Sequence, residues 1–162
     1  MPKSLSKCNV LFSNFGGLNC ITNDELSLFL KKVSIEQKNG SQLILVLMSK
    51  KCLMESIYFF LKRDFSKIKR RNNKIGIDVN VKNEKVKTYY YLPKDIETML
   101  SPNYKINLVK PIAIFLPPSY LEPFFKKRKT LLHILNKLEQ IFGRFTYLAK
   151  WADHYIIVAE KQ

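Results

Sequence analysis

The stretch Cys8–Ile21 constrains this chain more than any other. Val10, Leu11 and Phe12 form an apolar run with no helical period, as a buried strand would. Ser13 to Asn19 then sets Gly16 and Gly17 among small polar residues, and Thr22-Asn23-Asp24-Glu25 predicts the start of a helix. Strand, glycine-bearing loop and helix form the unit from which open α/β sheets are built. Ligands of such sheets sit beyond the carboxyl ends of the strands, where this loop lies. Gly16-Gly17 either brings backbone close to a ligand or makes a turn.

Downstream, apolar residues recur at helical spacing from Leu26 to Val33, and the aliphatic run Gln42–Met48 predicts a strand covered on both faces. Two such strands joined by a helix make a parallel crossover. A second helical pattern runs from Cys52 to Arg71, with Glu55 in its first turn and basic residues through Arg70, Arg71 and Lys74. A carboxylate suits a helix start and cations suit its end, so capping or surface use competes with a catalytic role for Glu55. Ile75, Ile77, Val79 and Val81 alternate with polar residues. Lys82 to Lys85 make a turn, and Val86, Thr88 and Tyr90 resume the alternation, which predicts a β-hairpin. Pro93 opens a short helix.

Tyr104–Val109 and Ile112–Leu116 read as a strand broken near Pro111. Leu131, Leu135, Leu138 and Phe142 mark a helix stopped by Gly143, and Tyr155–Ala159 forms a last strand with His154 at its mouth. His154 is either a proton acceptor or a hydrogen-bonded structural histidine.

At 162 residues the expectation is a single domain, 1–162, with a real core. No apolar run reaches the roughly 20 residues that span a bilayer. The opening Met-Pro-Lys-Ser-Leu-Ser-Lys is not followed by a signal-peptide core, so a cytoplasmic, soluble chain is expected. Cys8, Cys20 and Cys52 form no C-x-x-C pair, which argues against a zinc site and a disulfide framework and for buried free thiols; no metal is expected. The net charge of +15 draws a chain toward nucleic acid or an anionic membrane surface, unless it reflects only a Lys-, Asn- and Ile-rich composition.

The segment Phe-Ser-Asn-Phe-Gly-Gly-Leu-Asn-Cys, residues 12–20, resembles the fourth-strand motif of class I S-adenosylmethionine-dependent methyltransferases, in the subgroup with F-S-N-F-G-x-L-N after that strand. In order downstream, Gly40–Met48 is similar to the family's P-G-G-x-L-I-L-V-x-M fifth strand, and Thr88-Tyr89-Tyr90-Tyr91 to its aromatic segment. Pro117–Glu122 and Ala152–Val158 resemble its closing segments, so the resemblance runs from about Cys8 to the C-terminus. Asn9 stands where an acidic residue is usual, Asn39-Gly40-Ser41 where Pro-Gly-Gly is common, and Leu92 where a polar cap is usual. No G-x-G-x-G loop occurs in the chain.

The resemblance therefore implies the C-terminal half of such a domain. Its fold class is α/β, a partial Rossmann-like sheet of parallel strands with helices, an inserted β-hairpin and an antiparallel C-terminal edge. It implies that Ser13, Asn14, Phe15 and Gly16 lie beside the sulfonium end of S-adenosylmethionine. Tyr90, Tyr91 and Tyr120 would bind the methyl acceptor, an unidentified small molecule, with Glu55 and His154 as candidate catalytic groups. A homodimer or a complementing N-terminal half would complete the site, since a fourth strand without its neighbour has an open edge. The alternative is a non-catalytic basic interaction module on nucleic acid, motivated by the basic clusters at 62–74 and 126–129.

Overall fold

The computed structural model describes residues 8–14, 16–81, 84–118, 121 and 125–162. Residues 1–7 and, of the turn expected at Lys82 to Lys85, Lys82 and Asn83 lie outside the described residues. The chain is mixed α/β. Strands β1 (Val10–Ser13), β2 (Gln42–Met48), β5 (Tyr104–Ile112) and β6 (His154–Lys161) form one sheet in the order β1-β2-β6-β5. Strands β3 (Ile77–Val81) and β4 (Glu84–Thr88) form a separate antiparallel hairpin. β1 runs parallel to β2, whereas β6 is antiparallel to both β2 and β5.

Helix α1 (Asn23–Glu36) starts as its sequence dictates. Thr22 Oγ1 accepts from the Glu25 amide at 3.3 Å, and the Glu25 carboxylate accepts from the Thr22 amide at 2.7 Å. The two residues thus satisfy each other's orphan donors. Leu26, Leu30 and Val33, spaced by a helical turn, are buried on the sheet. Leu43, Leu45 and Leu47 of β2 meet them, with Tyr155, Ile157 and Ala159 of β6 and Ile96 and Leu100 of α3 (Pro93–Leu100). A smaller cluster of Cys52, Met54, Leu121 and Phe125 joins α2 (Leu53–Leu61) to Leu132 and Leu135 of α4 (Lys129–Phe142).

Five expectations are corrected. β1 is not a buried strand: it is a sheet edge among the described residues, and Phe12 is 56% exposed. β2 is covered fully on one face only, since Ile44 and Met48 on the other are half-buried. The helix expected from Cys52 to Arg71 ends at Leu61, where Arg63 takes a left-handed φ of 58°, and the basic residues beyond it fold back. The strand does not break at Pro111. β5 runs through it, because a sheet edge tolerates a missing donor, and the irregularity falls instead between Ile106 and Leu108. Of the thiols only Cys52 is buried; Cys8 and Cys20 are exposed.

Candidate functional site

The loop after β1 turns at Gly16, whose φ of 68° favours a residue without a side chain. A Cβ there would stand 2.8 Å from Met48 Cε, so the loop backbone rests on the end of β2. The next residues, Gly17–Cys20, make a single 3-10 turn.

Asn19 locks that turn in place. Its amide group donates to the Tyr89 carbonyl at 2.6 Å, and its side-chain oxygen accepts from the Met48 amide at 3.0 Å. The Tyr89 amide in turn donates to the Asn19 carbonyl at 2.6 Å. One buried side chain therefore ties the loop, the end of β2 and the segment that follows the hairpin together.

Beside this loop, at the carboxyl end of β2, lies a charged cluster. Glu55 is 2% exposed, and its Oε1 accepts from Arg70 Nε at 2.8 Å. Its Oε2 accepts from Arg71 Nε at 3.0 Å and Arg71 Nη2 at 2.8 Å. The Arg71 Nη2 also donates to Asp153 Oδ1 at 2.6 Å, and its Nη1 to the Asp153 carbonyl at 3.3 Å. Asp153 Oδ2 stands 3.0 Å from His154 Nδ1. The guanidinium of Arg71 also lies over the Tyr90 ring, 5.0 Å from its centroid.

Buried charges are tolerated only when matched, and two carboxylates here face two guanidiniums. Burial works to raise the Asp153 carboxyl, but the His154 hydrogen bond and the Arg71 charge outweigh it and hold the group below the ordinary value of 3.8. Burial pushes the neighbouring Cys52 thiol up to about 12, against the pull of Arg71. It also raises the Tyr90 phenol, with Arg71 and Arg70 opposing.

These parts enclose a cleft of about 650 Å³ between the β1 and β2 ends and the β3–β4 hairpin. Gly16, Met48, Arg71, Tyr90, Asp153 and His154 all line it. Of the residues expected at the site, Gly16, Tyr90 and His154 come together on this cleft. Ser13 is half-buried at the end of β1 and Asn14 is exposed just beyond it. Tyr91 sits in the core, its phenol donating to the Ile21 carbonyl and its backbone bridging to Ser49. Glu55 lies behind the wall, neither capping its helix nor facing solvent. Phe15 and Tyr120 lie outside the described residues.

Asn19, Arg71 and Asp153 were not singled out from sequence. Asn19 closes the F-S-N-F-G-x-L-N stretch without a role assigned to it there, and Arg71 reads as one of many cations near a helix end. Asp153 does sit in the segment Ala152–Val158 that carries the resemblance, which is the one signal available for it. Among the described residues no cluster of three His, Cys, Asp or Glu side chains stands ready for a metal ion, and no helix is long and apolar enough to cross a membrane. No protein-family model matches the chain, and no curated protein is significantly similar to it.

Proposed function

We propose that residues 8–162 form the carboxyl-terminal part of a Rossmann-like S-adenosylmethionine-dependent methyltransferase domain, acting on a small-molecule acceptor. The observation that carries this is the placement of the resembling segments. The F-S-N-F-G-x-L-N stretch, the end of the fifth-strand-like run and the Asp153-His154 pair are distant in sequence yet converge on one cleft at the strand ends. Ligands of open α/β sheets bind in that place. The antiparallel pairing of β5 and β6 is also what the resemblance implies for the last two strands.

The residues present suit the methionine end of the donor. Gly17 has nothing within 4 Å of where a Cβ would stand, so the loop backbone is open to a ligand there. The side-chain amide of Asn14 stands at the strand end, where it can orient a polar group. The donor supplies a methyl group activated by a sulfonium sulfur. The chain's own part is to align the acceptor and exclude water. In this family ribose and adenine are held mainly by the first half of the domain, to which no motif of residues 8–162 corresponds. The compartment we assign is the cytoplasm, where free thiols such as Cys8, Cys20 and Cys52 persist.

Photo-crosslinking with radiolabelled S-adenosylmethionine tests this reading. Label on peptides spanning residues 13–20 supports it, whereas label confined to the basic segments 62–74 and 126–129 contradicts it.

The second reading, a non-catalytic basic module on nucleic acid, draws on the exposed Lys62, Arg63 and Lys126 to Lys129. It requires affinity that falls steeply with salt, and failure to retain any nucleic acid at low salt rejects it.

A further inference from the structure

His154 opens β6 directly opposite Met48, the last residue of β2, so its ring stands at the strand ends beside the loop. Its Nδ1 is taken by Asp153, and Asp153 is itself held by Arg71, which Glu55 fixes from behind. A neutral imidazole whose Nδ1–H donates to a carboxylate carries its lone pair on Nε2. The carboxylate then fixes that tautomer and stabilises the imidazolium that forms on proton uptake. The ring is half-buried and lines the cleft.

The charges behind it are matched. Glu55 and Asp153 face Arg70 and Arg71, so a carboxylate or phosphate entering the cleft would find both guanidiniums committed. The remaining wall is largely apolar, with the Tyr90 ring, Met48, Pro118 and the hairpin's Val79 and Val86 alongside the glycines, and Asn80 and Thr88 as its neutral polar groups. The ionisable groups facing the dyad from the other walls are Tyr90, Cys20 and the exposed Asp78, none of them a cation.

We propose that Asp153 and His154 form a proton-accepting dyad whose ligand is an uncharged aromatic molecule with a weakly acidic hydroxyl. The O–H bond of the ligand breaks and an N–H bond forms at His154 Nε2, leaving an oxyanion beside an imidazolium that Asp153 balances. The inference rests on the methyltransferase reading only in making that hydroxyl the methyl acceptor.

Two readouts on the full chain test it without the sulfonium donor. Side-chain NMR at mildly alkaline pH reads the His154 tautomer, expected as Nδ1–H. In Asp153→Asn, Arg71 holds the amide oxygen and turns the NH₂ toward Nδ1, so the tautomer should switch to Nε2–H. The second readout uses 4-nitrophenol, whose anion absorbs apart from the neutral form, at a pH where the free probe is mostly neutral. The wild-type chain should raise the anion band saturably, and His154→Gln, on a half-buried ring outside the Arg71 clamp, should lose at least about ten-fold of that rise.

An Nε2–H tautomer in the wild-type chain overturns the proposal. So does a missing anion band, or one that His154→Gln leaves intact. Failure of S-adenosylhomocysteine to bind is a separate result, bearing on the donor alone.

Discussion

Asn19 and Arg71 hold the site, and of their bonds Arg70 shares only the hold on Glu55. Replacing Asn19 with Ala leaves the Met48 amide and the Tyr89 carbonyl without that partner. The expected cost is about 1–3 kcal/mol in denaturant unfolding. Arg71→Met is harsher, because Glu55 loses one of its cations and Asp153 loses its guanidinium. About 3–5 kcal/mol is expected, the cost of breaking a buried pair from one side.

The acid limb of stability carries the same signature. Asp153 has a folded value below its unfolded 3.8, so its contribution is present above that pH and is lost as pH falls through the folded value. Stability measured down the acid range should fall less steeply in Asp153→Asn, and an unchanged slope would contradict the assignment. The thiols separate in the opposite range. Cys52, raised to about 12, should resist alkylation in the folded chain while the exposed Cys20 reacts at once. None of the Glu55–Arg71–Asp153 pairing was legible in sequence. Glu55 and the cations after it fit a helix dipole equally well, and only a left-handed Arg63 sends the chain back on itself.

At the scale of elements, period decided most of what sequence could tell. The stripe of α1, the aliphatic run of β2 and the alternation of β3 and β4 each follow from the spacing of apolar residues. The failures have a common cause. Spacing reports what a segment would bury, not whether a neighbour is there to bury it, and so β1 reads as buried while lying at an edge. The end of α2 was missed for a related reason, since Phe65 and Ile68 keep a helical spacing that the backbone does not follow.

The loop after β1 is the element on which the proposed site depends most. Gly16→Ala must hold a Cβ in the left-handed region, which costs about 1–2 kcal/mol. The contact with Met48 Cε adds little, because a methionine tip moves easily. A melt as stable as wild type would mean that the turn does not need its observed conformation.

Over the whole molecule, one apolar row crosses the second face of the sheet. Phe12, Ile44, Val158 and Leu108 are in register across all four strands, with Phe12 and Leu108 exposed at the two edges. An exposed apolar edge strand invites pairing, while a net charge of +15 keeps copies apart until salt screens it. Light scattering should therefore show association growing with ionic strength, and Phe12→Lys should suppress it. Association that ignores this substitution would place the contact elsewhere.

The strand order is not legible in the sequence: spacing implies a parallel β1–β2 pair and the resemblance antiparallel last two strands, but neither says that β6 lies between β2 and β5. Spacing gave the strands, while their assembly into β1-β2-β6-β5, with the glycine loop and His154 at the same end, comes from long-range pairing that no local pattern encodes.

Calorimetric titration of the full chain with S-adenosylhomocysteine tests whether this end of the sheet receives a sulfonium donor. Saturable binding is expected, weakening at least about ten-fold in Gly17→Val, where a side chain fills the open space beside the backbone. Heat that is absent at saturating ligand, or binding that Gly17→Val leaves untouched, contradicts the donor reading.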